Sequence, residues 1–268
     1  MSPGACAPEP GVGGESTRDG LGWAAEGDAA ARLRVGQDAW QTLADEVVRC
    51  RACPRLVAWR EQVAREKRRA YRECEYWGRP VPVFGDPAAR LLIVGLAPGA
   101  HGSNRTGRMF TGDSSGDTLY AALYRAGFAN QPWARQREDG LGLRDAFITA
   151  VARCAPPANR PTPAEIIACR RFLLREWALM PQIRVLLALG HIAFDHCVRL
   201  LTEEGCKLPR LRFAHGLSQP AGTNTSGAPR HLVASYHPSR QNTQTGRLTQ
   251  QMLDDVFGLA RSLVAGPH

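Results

Sequence analysis

Four short apolar runs set the terms for this chain. Leu91-Leu92-Ile93-Val94, Phe147-Ile148-Thr149-Ala150-Val151, Val185-Leu186-Leu187-Ala188-Leu189 and Leu232-Val233-Ala234-Ser235 are nearly continuous rather than alternating. A strand apolar at almost every position must be covered on both faces, as inside a parallel sheet flanked by helices. Helical patterns fill the intervals, over 118–126, 163–179 and 191–203. Thr162-Pro163-Ala164-Glu165 is a helix start, with Thr at the cap, Pro in the first turn and Glu three residues after Thr. The alternation predicts an α/β fold, a three-layer α/β/α sandwich around a four-stranded parallel sheet. Ligands of such sheets bind beyond the carboxyl ends of the strands, so the segments that follow the strands are the places to look.

The 268 residues carry a formal charge of +9, with 44% hydrophobic and 22% charged residues. That composition is globular and excludes a chain disordered throughout. No run approaches the roughly 18 apolar residues of a membrane span. Nothing at the N-terminus reads as an export signal. Residues 1–36 hold eight glycines, three prolines and five acids against three arginines. They read as a disordered tail, and 37–268 as a single domain. A helix is expected from Asp38, with Trp40, Leu43 and Val47 at helical spacing, and a second over 56–73. The stretch 60–72 holds six Lys and Arg against two Glu. It is either a solvated helix face or a phosphate-facing surface.

After the first strand comes Gly95-Leu96-Ala97-Pro98-Gly99-Ala100-His101-Gly102. Its spacing is neither that of the dinucleotide-binding fingerprint nor that of a phosphate-binding loop with its lysine, so no nucleotide cofactor is expected. Phe110 and Asp113 follow. Phe110 is a core anchor or an aromatic platform, and Asp113 is a helix cap or a catalytic carboxylate. After the second strand, four prolines in 156–163 stiffen the segment that carries Asn159. Asn159 is therefore a plain turn residue or a fixed polar reader. After the fourth strand, His237 closes a buried run and enters a polar, basic segment with Arg240, Asn242 and Arg247.

Eight cysteines are too few for a disulfide scaffold in a chain of this length. Cys50 and Cys53 form a Cys-x2-Cys pair, while Cys154 and Cys169 have 14 residues between them. On spacing alone they are four unrelated core cysteines, or four thiolates for zinc or an iron–sulfur cluster. Arginines crowd all four.

Together these motifs resemble the uracil-DNA glycosylase superfamily, and most of all its family 5. The resemblance rests on 95–102, on Asn104-Arg105-Thr106-Gly107-Arg108-Met109-Phe110-Thr111-Gly112-Asp113, on Cys154-Ala155-Pro156-Pro157 with Asn159, and on 237–247. It covers about 40 to 260 and leaves out the tail and an insertion at 216–230. The resemblance implies hydrolysis of uracil, and of hypoxanthine or other deaminated bases, from double-stranded DNA at the start of base excision repair. It implies a [4Fe–4S] cluster on Cys50, Cys53, Cys154 and Cys169. Asp113, His237 and Asn159 are then catalytic, Ala97 and Phe110 bind the base, and Arg240, Asn242 and Arg247 bind DNA. A monomeric, cytoplasmic, nucleoid-associated enzyme that works away from membranes is expected. One departure stands out: Leu96-Ala97-Pro98-Gly99 lacks the polar or acidic water-activating residue of other branches. The resemblance to family 5 implies Asp113 as the substitute, with Asp117 the runner-up. A noncatalytic iron–sulfur DNA-binding protein is the alternative.

Overall fold

The computed structural model describes residues 38–266. The expected tail at 1–36 lies outside the described residues. Helix α1 covers 38–49, α2 Pro54–Glu66, α3 Ser103–Thr106, α4 Ser114–Arg125, α5 Pro163–Ala178, α6 His191–Glu203, α7 Arg240–Gln244 and α8 Gln250–Ala265. The strands are β1 Phe84–Gly85, β2 Leu91–Gly95, β3 Ala146–Ala150, β4 Val185–Leu189, β5 Ser218–Thr223 and β6 Pro229–Ser235.

The four apolar runs form β2, β3, β4 and β6, adjacent and parallel in the order β3-β2-β4-β6. Side chains alternate along each strand, and both faces are covered. Leu91, Ile93, Ile148, Leu187 and Val233 pack with α4 and α8 through Leu119, Leu123, Val256 and Phe257. Leu92, Val94, Phe147, Leu186 and Leu232 pack with α5 and α6 through Ile166, Phe194 and Leu200. This is the predicted three-layer sandwich.

The sheet has six strands rather than four. β1 adds antiparallel to β3 and β5 antiparallel to β6, one at each edge. Neither edge strand is an apolar run: β1 has two residues, and β5 reads Ser-Gln-Pro-Ala-Gly-Thr with only Ala221 buried. Pro220 and the irregular register after it mark β5 as an edge that resists further pairing. β5 lies within 216–230, the stretch that the resemblance left out. The second helix also differs from expectation, ending at Glu66. Its C-cap, Lys67, leaves helical geometry with φ 54, and a single 3-10 turn follows at Arg69–Tyr71.

The predicted capping box of α5 is present, with Thr162 Oγ1 accepting from Glu165 N–H and Glu165 accepting from Thr162 N–H. Further along α5, the buried Glu176 accepts from Thr149 Oγ1 at 2.7 Å and pairs with the buried Arg153. That pairing ties the segment leaving β3 to the helix above it.

Candidate functional site

Beyond the carboxyl ends of β2, β3 and β6 lies a cavity of about 610 Å³. Segments 96–103 and 109–115 follow β2, 158–160 follow β3, and 237–241 follow β6. These four post-strand segments supply nearly all of its lining, where an open α/β sheet is expected to place a ligand.

Phe110 forms an apolar wall. Its backbone sits in the left-handed region at φ 52, a conformation that costs a non-glycine residue energy and persists where surroundings enforce it. The neighbouring backbone is pinned, with Met109 O accepting from the buried Tyr120 hydroxyl at 2.8 Å. The ring lies over Gly95, where a Cβ would come within 2.8 Å of Cζ. Phe110 is thus both a core anchor and part of the cavity wall.

His237 faces it, with ring centroids 5.7 Å apart and planes tilted by 32°. Burial pushes the imidazole down to about 4, so it is neutral at pH 7 and keeps one N–H to donate. The His237 carbonyl oxygen accepts from Asn242 Nδ2 at 2.9 Å. Asn242 belongs to α7, whose N-cap is Ser239. The polar segment after β6 is therefore a short capped helix that grips the backbone of His237.

Asp113 caps a helix and also lines the cavity. Its Oδ1 accepts from Gly116 N–H at 3.0 Å and caps α4. Its Oδ2 lies over Gly102 and Gly99; a Cβ on Gly102 would stand 1.9 Å from that oxygen. The loop needs glycine there because the carboxylate fills the space. Burial raises the Asp113 carboxyl above the usual range, while the capping N–H groups and Arg105 oppose the rise. Asp117 is exposed in the first turn of α4 and does not line the cavity.

Ala97 and Asn159 also line the cavity. Asn159 is exposed, and it and Ala158 both have positive φ, at 55 and 52. The proline-rich segment thus presents Asn159 from a strained turn. Arg240 stands exposed at the rim, whereas the exposed Arg247 lies over the Tyr236 ring at 4.7 Å. Among the lining residues that the sequence reading did not single out is a histidine. His101 accepts from or donates to the Tyr76 hydroxyl across 3.1 Å. The available signal was its position between Gly99 and Gly102.

Cys50, Cys53, Cys154 and Cys169 are brought together around a void of about 20 Å³. All four are free. Each element near them contributes: Cys53 caps α2, Cys154 leaves β3 and Cys169 lies in α5. Nitrogen donors reach the sulfurs: Arg60 Nη1 to Cys154 at 2.8 Å, Arg153 N–H to Cys169 at 3.3 Å, and Arg171 to Cys50 at 3.5 Å. Burial pushes Cys154 up to about 11 and Cys169 up to about 12, so bare thiols there keep their protons. Among the described residues no three His, Cys, Asp or Glu converge as ligands of a single ion. Four soft sulfur donors with N–H groups aimed at them fit an iron–sulfur cluster in kind, since a cluster spreads its thiolates over several irons.

Comparison with known proteins agrees with this geometry. The model of the uracil DNA glycosylase superfamily matches residues 82–259, and the chain belongs to that superfamily. Within it, the similarity points to the type-5 branch. The chain is 54% identical over 215 residues to the type-5 uracil-DNA glycosylase of Mycobacterium tuberculosis, covering 80% of this chain and 78% of the relative. It is 52% identical over 214 residues to that of Thermus thermophilus, covering 80% and 93%. With that of Pyrobaculum aerophilum it shares 41% over 228 residues, covering 85% and 94%.

Proposed function

We propose that this protein is a DNA repair glycosylase that hydrolyses the N-glycosidic bond of uracil in double-stranded DNA. The observation that carries the proposal is the cavity itself, where an aromatic wall, a neutral histidine and a half-buried carboxylate meet at the strand ends. Superfamily membership and the names of the type-5 relatives support it.

A base stacked in a duplex must be flipped out to be cut, at a cost of a few kcal/mol that is lower for a mispaired base. Phe110 stacks on the flipped base, and Asn159 at the rim reads its polar edge. Water adds to the sugar carbon as the bond to the base nitrogen breaks, and the bonding electrons leave with the base. The N–H of neutral His237 steadies the negative charge growing on a base carbonyl. The Asp113 carboxylate orients the water and offsets positive charge on the sugar. Ala97, a methyl side chain where a bulkier group would crowd the base, leaves room for hypoxanthine and other deaminated bases. Arg240 and Arg247 meet the DNA backbone, and Asn242 acts on His237. Cys50, Cys53, Cys154 and Cys169 hold a [4Fe–4S] cluster that ties α2, the β3 exit and α5 together. The enzyme works as a monomer and needs no nucleotide cofactor.

The test is a duplex with one uracil, incubated with the protein, treated with alkali and resolved on a denaturing gel. Uracil-dependent scission is expected, with a parallel response to hypoxanthine. Tight binding without scission would instead identify a noncatalytic DNA-binding protein. Scission confined to uracil would remove the broader substrate range alone.

A further inference from the structure

A second cleft, of about 560 Å³, opens beside the base cavity. Five arginines line it, Arg49, Arg51, Arg60, Arg65 and Arg79, against one acid, Glu61. Glu61 is taken by Arg51, and Arg49 lies 3.5 Å from Asp45. Among the described residues, Arg65 and Arg79 have no carboxylate within ion-pair distance. Both are exposed. Arg60, only 2% exposed, is turned inward to Cys154 and the Cys50 carbonyl, 3.8 Å from Glu61, so Arg65 and Arg79 are the cations the cleft offers to a ligand.

The cleft and the base cavity share a wall. Tyr76 lines the cleft, and its hydroxyl meets His101 Nδ1, on the cavity side, at 3.1 Å. Just beyond, Trp77 N–H donates to Arg105 O at 2.9 Å and Gly78 N–H to Asn104 O at 3.0 Å. Segment 76–78 is thus fastened to α3, part of the loop that lines the base cavity. The aromatic surface of the cleft is already occupied. Arg79 and Arg137 lie over the Trp77 ring at 5.6 Å and 4.7 Å. Guanidiniums stacked on an indole face present cations outward and leave little ring free to stack a base.

We propose that this cleft holds the phosphodiester backbone of the damaged strand on one flank of the flipped nucleotide. The assignment rests on the glycosylase reading of the neighbouring cavity. An excess of cations spread along a cleft, with its aromatic face covered, suits a repeating anion held without regard to base sequence. A strand whose flipped nucleotide occupies the cavity continues past the shared wall into this cleft.

The test compares wild type with the double variant Arg65→Gln/Arg79→Gln. Arg199→Gln/Arg210→Gln, which removes the same charge from two exposed positions outside the cleft, is the control. Binding to uracil-containing duplexes is measured over a salt series, with the full duplex and with each flank trimmed in turn. Loss of two phosphate contacts lowers the slope of log K against log salt by about 2 and weakens binding about tenfold or more at moderate salt. The control keeps the wild-type slope. The deficit disappears when one particular flank is trimmed and persists when the other is. An unchanged slope, or a deficit equal for both trimmed duplexes, overturns the proposal. Restoration of the variant's slope difference to zero by inorganic pyrophosphate on every duplex reassigns the cleft to a small anion. Binding is read without cleavage, so a wild-type protein that fails to cut uracil refutes the glycosylase reading separately.

Discussion

Asn242 Nδ2 donates to the carbonyl oxygen of His237 at 2.9 Å, holding the backbone from which the imidazole projects toward Phe110. The sequence placed Asn242 among DNA contacts, and this bond gives it a positioning role. Asn242→Ala should lower the single-turnover rate by roughly 10- to 100-fold, the scale of small misplacements at a reacting centre. The salt slope of DNA binding should stay at the wild-type value. A slope reduced by about 1, with the rate intact, would mean that Asn242 meets a phosphate instead.

Asp113 uses Oδ1 as the cap of α4 and turns Oδ2 over Gly102. Asp113→Asn retains a good cap yet loses the carboxylate, so stability should hold while single-turnover cleavage falls about 100-fold. Asp113→Ala should add a loss of about 1 kcal/mol in stability. Gly102→Ala tests the same oxygen from the other side, because its Cβ would displace the carboxylate. A fast, folded Asp113→Asn enzyme would end the catalytic role.

The half-buried His237 makes a pH prediction with a definite sign. Its folded pKa is about 4, against an ordinary value of 6.5. Unfolding therefore takes up a proton between those values. The stabilisation is complete above pH 6.5 and is lost as pH falls toward 4, by at most ~1.4 kcal/mol for each pH unit. Denaturant titrations of wild type and His237→Gln should converge in stability on acidification across that window. Single-turnover rates should show no histidine inflection from roughly pH 5.5 to 8. An inflection near 6.5 that vanishes in His237→Gln would show that the imidazole titrates as an exposed group does.

Purified protein should be brown, with about four irons and four sulfides per chain, as four thiolates on a cubane cluster require. Cys154→Ser should lose the colour and much stability, because a ligand there ties distant segments together. Cys197→Ser, on the buried face of α6 rather than among the four, should keep the colour. Colourless wild-type protein with stoichiometric zinc would replace the cluster with a single ion.

The parallel centre of the sheet was legible in the chain alone. Continuous runs such as 185–189 have only one economical burial, between two helical layers, and local rules were enough to place Thr162 and Glu165 in their cap. The chain also marked Phe110, Asp113, Asn159 and His237, since residues after strands in such a sheet gather at one end. The edge strands were not legible, because β5 is polar and half exposed and owes its conformation to pairing with β6. The partners of the site residues were equally hidden. Nothing in the chain order says that Asn242 turns back to the His237 carbonyl, or that Tyr76 reaches His101 across 25 positions. Those relationships depend on where separate segments meet once the core has closed. A side chain's hydrogen-bond partner is set by distance in space, and only the tertiary structure fixes that distance.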